Sequence, residues 1–147
     1  MYQAGKFFHI AAAIFWLGGI GFLLFALRPA AMAQLSPDAR LPLMTAVLRR
    51  FFAMVWIAVA TLALTGGGLM AQAAGPKPAG WYAMAGLGTL MFLLFGHVYF
   101  GPFRRLKAAV AMRDWPAGGR CIEQTVVFAK AVFALGWLAI AAVGLLR

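Results

Sequence analysis

Four apolar stretches, each long enough to cross a bilayer, constrain this chain more than any other feature. A hydrocarbon core of about 30 Å takes roughly 20 residues of helix at 1.5 Å each. The runs at about 3–27, 51–72, 81–103 and 122–146 meet that length. They do not alternate between polar and apolar residues, and they are too long for barrel strands. Helices then remain as the structure that satisfies every backbone polar group in lipid. Of 147 residues, 65% are hydrophobic, and the mean hydropathy is +0.89, far above a soluble domain. An even number of spans with short connections predicts one domain over 1–147, an all-α, up-down-up-down four-helix membrane bundle. Ala31-Met32-Ala33 looks like a signal-peptide cleavage site, yet the run before it exceeds the 7–15 apolar residues of a signal core. The first stretch is therefore read as a retained helix.

The charge gives an expected orientation. The formal net charge is +10. Arg28, Arg40, Arg49 and Arg50 lie between the first two spans, and Arg104, Arg105, Lys107, Arg113 and Arg120 between the last two. Between the second and third there is only Lys77. Basic connections belong on the cytoplasmic side, so the chain is expected in a bacterial inner membrane with both termini in the periplasm. Topology and anionic headgroups account for the charge; no RNA-binding signature is present, and no nucleic-acid partner is expected. Ser36-Pro37-Asp38 predicts the start of a short surface helix, with Ser36 as N-cap and Pro37 at the first helical position. Trp81-Tyr82 and Trp115 suit anchors at headgroup level.

Enzyme constellations are missing. Asp38, Asp114 and Glu123 are the only acids, and they form no carboxylate pair suited to general acid–base work. Gly66-Gly67-Gly68 lacks the Lys-Ser/Thr of a phosphate loop. The single Cys121 excludes an intrachain disulfide and a cysteine cluster. An ordinary hydrolase or kinase is not expected, and no catalytic residue is assigned.

The chemistry that remains centres on Lys6 to Gly21 (KFFHIAAAIFWLGGIG). Lys6, His9, Ala13 and Trp16 share one helix face, with Gly5, Ala12 and Gly19 close to it. Small residues there allow close approach by another helix or a flat ligand. An ionisable group within a span is a functional-site hypothesis by default, although His9 could also bond water or a carbonyl near the surface. Counting residues puts His9 roughly 9 Å below the terminus-bearing end. At that depth the second span offers Thr65, Gly68 and Met70, and the third offers Met84. Imidazole with thioether suits Cu(I), and also a His/Met-ligated haem iron; methionine as a simple gap-filler is the alternative. His97 lies about 15 Å deeper than His9, too far for both to hold one iron. A second polar group, nearer the basic end, is His97, Lys130 and Glu123. Lys130 either snorkels to the interface or joins a relay beside His97. His97 could equally bond a carbonyl freed by Pro102.

These residues resemble two families. Lys6-x-x-His9 followed by Phe15-Trp16-x-Gly18-Gly19 is similar to the first helix of the copper-resistance D (CopD) domain. The segment His97 to Arg105 (HVYFGPFRR) and a Gly-punctuated fourth helix look like the same small four-span group. That resemblance implies copper handling at the bacterial inner membrane; the matching depth of soft donors adds His9 with Met70 or Met84 as the expected copper ligands, and a periplasmic copper carrier is the expected partner. The first-helix motif also resembles the HemJ-type protoporphyrinogen oxidases, which implies haem b on His9, with Lys6 and Trp16 beside the cofactor. The lysine early in that family's third helix and its Asn-Glu-Pro segment are absent here. Three readings therefore stand: a copper-handling protein; a haem-b membrane oxidoreductase working with quinone; and a non-catalytic membrane subunit or scaffold, in a homo-oligomer or a larger complex.

Overall fold

A computed structural model describes residues 2–73 and 75–146, and they are helical almost throughout. Helix α1 (Tyr2–Phe22) passes through a π turn (Leu23–Leu27) into α2 (Arg28–Gln34), and α3 runs from Pro37 to Gln72. Helix α4 (Ala79–Phe100) breaks at Gly101 and continues as α5 (Pro102–Ala111); α6 is Trp115–Leu145. This gives the expected all-α bundle with four helical rods long and apolar enough to cross a membrane: Tyr2–Gln34, Pro37–Gln72, Ala79–Ala111 and Trp115–Leu145. The described residues contain no strand.

The rods are longer than the apolar runs, and each excess lies at the basic end. The first helix does not stop at Leu27. Pro29 cannot donate to the carbonyl of Phe25, and its ring crowds that carbonyl. The π turn just upstream, closed by the Arg28 N–H on the Leu23 carbonyl, lets the helix run on. Ser36 is the N-cap and Pro37 the first helical residue, as expected, but the helix they open is α3 itself rather than a separate surface helix. The surface helix is α5. Its Phe103, Leu106 and Ala109 are buried, whereas Arg104, Arg105 and Lys107 face outward. Gly101 and Pro102 make the corner, where the Gly101 N–H still reaches the His97 carbonyl at 2.9 Å.

Two close helix pairs form the bundle, α1 along α3 and α4 along α6. Glycine makes both approaches. The Gly80 N–H of α4 donates to the Leu146 carbonyl at 3.0 Å, and a Cβ on Gly80 would collide with the Ala142 carbonyl. Gly19 seats Phe51, and Gly136 seats Leu17. Helices α3 and α4 meet less closely, and aromatic rings bridge them. Phe52 stands edge-on to Phe95 and Phe103 at 5.5 and 4.9 Å, and Trp56 meets Phe95 at 5.1 Å. Without a hydrophobic drive between helices in lipid, such packing is the main cohesive term.

The contact at Gly80 involves rigid main chain, so relief by rotamer change is not available. Gly80→Ala should lower stability by about 1–3 kcal/mol, the usual cost of overpacking. Gly86→Ala, where a Cβ meets nothing within 4 Å, should leave the melting temperature in detergent unchanged or slightly raised.

Candidate functional site

The antiparallel course of α1 and α3 brings His9 onto the second span at the level that residue counting gave. His9 Nδ1 lies 2.9 Å from Thr65 Oγ1. Thr65 in turn donates its hydroxyl proton to the Thr61 carbonyl, 2.5 Å away. A hydroxyl has one proton, so toward His9 the threonine oxygen is an acceptor. With the threonine proton on that carbonyl, the imidazole would carry its own proton on Nδ1 and keep the lone pair on Nε2. The Leu62 carbonyl also lies within reach of the ring, and Nε2 is not one of the sealed, unpartnered atoms among the described residues. Metal-binding histidines are commonly fixed in this way, one nitrogen held by a neighbour and the other presented to a ligand.

Gly66 supplies the wall. A Cβ there would come within 3.2 Å of His9 Cε1 and 3.6 Å of Nδ1, so that edge of the ring abuts bare backbone. Gly5, one turn outward on α1, faces Leu69 in the same manner. The ring is half-buried, neither directed wholly at lipid nor closed off. Lys6, one turn outward on the same face, is exposed.

Trp16, two turns further in on that face, is 2% exposed. It stacks on Phe92 at 5.9 Å and meets Phe95 edge-on at 6.0 Å. A porphyrin lying along this face would need the volume these rings fill. Met70 follows Gly66 by four residues, which puts it on the same face of α3 one turn outward. Met84 precedes the buried Met91 by seven residues and shares its face of α4. Both are half-buried.

The second polar group is not one cluster. Glu123 pairs with Arg28, whose Nη2 lies 2.6 Å from Glu123 Oε1. His97 lies against Phe128, with ring centroids 4.9 Å apart. Lys130 leaves α6 about 200° round from Phe128, so it faces away from His97 and is exposed. Stacking of Trp16 on Phe92 fixes the relative level of α1 and α4. It separates His9 from His97 by about a dozen residues, or roughly 18 Å, so the two imidazoles share no site. The Arg28–Glu123 pair was not anticipated; its signal was the lone acid of the fourth span facing a basic residue next to Pro29.

Four membrane-length helices and this sparse set of polar side chains define a multi-pass membrane protein. A family model described as Copper resistance protein D matches residues 45–146, about two thirds of the chain. The chain belongs to that family, and so to a copper-resistance-related group of membrane proteins. No curated protein and no solved structure matches it. The matched segment begins within α3. It includes Thr65, Gly66, Met70 and Met84, while His9 lies ahead of it.

The proton placement is measurable without any metal. In ¹⁵N-labelled protein at a pH where His9 is neutral, Nδ1 should give the protonated-nitrogen shift and Nε2 the unprotonated one. In Thr65→Val the preference should fall to a mixture of tautomers.

Proposed function

We propose that this chain binds Cu(I) near the terminus-bearing end of the bundle, with His9 Nε2 as one ligand and the thioether of Met70 or Met84 completing the site. The observation that carries the reading is the Nδ1–Thr65 contact, and in this reading it holds the ring with Nε2 free to take a ligand. The donor chemistry supports copper in its reduced state. Among the described residues no group of three His, Cys, Asp or Glu could form a harder cage. Imidazole and thioether are donors that favour Cu(I) over magnesium or calcium.

By the positive-inside rule the basic connections are cytoplasmic in this reading, and the His9 end opens to the periplasm of a bacterial inner membrane. A periplasmic copper carrier would there exchange its ion with His9. Inward of the site Trp16, Phe92 and Phe95 close the face. The cavity beyond them is lined by apolar groups and by Thr125, whose hydroxyl is spent on the Cys121 carbonyl. The proposed role is therefore capture and hand-over at one membrane face rather than conduction through a single copy.

Cu(I) titration of the purified protein against a competing chelator tests this. Wild type should hold copper and His9→Ala should lose it. Thr65→Val should bind about 10- to 100-fold more weakly, the usual effect of losing a ligand's outer partner. Met70→Leu and Met84→Leu, compared with each other, identify the thioether. Equal copper in wild type and His9→Ala would remove the proposal.

A further inference from the structure

At the opposite end of the bundle, a cleft opens between the first two rods and α6. Its walls include Arg28, Met32, Arg40, Leu41, Gly119 and Glu123. We infer that this cleft binds a phosphate group, clamped between the Arg28 and Arg40 guanidinium groups.

The first argument is an unused donor. Arg28 gives one N–H to Glu123 through Nη2. Its Nε is buried and unpartnered, the one such side-chain nitrogen or oxygen among the described residues. A buried guanidinium N–H without an acceptor is costly, and an anionic oxygen is the acceptor it is shaped for. The second argument is charge. Arg40 is half-buried and, among the described residues, forms no ion pair. The cleft thus holds two guanidinium groups and one carboxylate that is already engaged, a net positive charge. Met32 and Met44 also line it, but two fixed cations oppose a metal ion there, so thioethers do not make this a second copper site. The third is room. A Cβ on Gly119 meets nothing within 4 Å, so this wall is open rather than packed shut. The π turn immediately before Arg28 fixes the direction in which its side chain leaves the helix.

Phosphate reaches such a place either as the headgroup of an anionic phospholipid, with acyl chains running along the apolar flank, or as the free ion. Thermal unfolding of the full chain in detergent separates these. The ligands are phosphatidylglycerol, phosphatidylcholine and inorganic phosphate, applied to wild type, Arg40→Gln and Gly119→Leu. Arg40→Gln removes one half of the clamp without touching the Arg28–Glu123 pair. Gly119→Leu fills the cleft and leaves its charge intact. Phosphatidylglycerol should raise the wild-type midpoint more than phosphatidylcholine does. Arg40→Gln should need about tenfold more lipid for the same shift, the size of one lost charge-assisted hydrogen bond, and Gly119→Leu should also need more lipid because it occupies the space. A variant-sensitive shift with inorganic phosphate instead upholds the clamp and identifies the free ion as its ligand. Equal shifts in wild type and both variants, equal shifts with the two lipids and none with inorganic phosphate, or no shift at all would each overturn the inference.

Discussion

Inside a bilayer there is no water to satisfy a stranded donor or acceptor, and the details of this bundle follow from that shortage. An unsatisfied hydroxyl in an apolar medium costs from about 1–3 kcal/mol in proteins to 4–8 on the least forgiving scale. Each of the five threonines answers by donating to the carbonyl four residues back: Thr45 to Leu41, Thr61 to Ile57, Thr65 to Thr61, Thr89 to Ala85 and Thr125 to Cys121. This habit relieves the side chain locally at slight expense to helix straightness. Thr65 alone among the five also meets a polar side chain of another helix, the His9 imidazole. The His9 contact is a further link on a ladder already required by the solvent.

Packing then sets where helices can bring such groups together. Lipid tails match leucine in polarity, so the bundle holds through close fit rather than expulsion of apolar surface from water. Bare backbone at Gly66, Gly19, Gly80 and Gly136 receives a histidine ring, a phenylalanine, a carbonyl and a leucine in turn. Where small residues draw α1 to α3 and α4 to α6, the gap left between α3 and α4 is filled by Phe52, Trp56, Phe95 and Tyr99. These rings separate the His9 level from the Arg28 level. The two proposed binding sites therefore occupy opposite ends with a largely apolar aromatic layer between them.

Much of this was legible from residues alone, and the failures share a cause. Run length gave the number of spans. Counting at 1.5 Å per residue gave the level at which His9 would meet the second span, and Thr65 was among the residues it named. The same counting grouped Glu123 with Lys130 and His97, because level along an axis carries no azimuth: Lys130 points away from His97, and Glu123 belongs to Arg28. Helix ends were harder. The apolar run ends at about residue 27, yet a π turn absorbs Pro29 and the helix continues. Basic residues marked 28–50 as a connection, yet most of it is helix, because the cations ride on segments whose other side is apolar. The family match covers the later helices and leaves His9 outside, so the proposed site joins a matched helix to one the family model does not reach.

The three acids of the chain are all engaged: Asp38 accepts from Ser36 Oγ, Asp114 caps α6 at the Ala117 N–H, and Glu123 holds Arg28. Nine of the thirteen arginines and lysines surround them at that same end. The result is a surface of essentially one sign, whose field extends about 8 Å into physiological salt before the ion atmosphere cancels it. Protons and metal cations are thinned out in that layer and small anions are enriched. The bundle thus polarises the two aqueous phases it separates even when nothing is bound, and any cation departing through the arginine-rich end would climb an electrostatic slope to do so.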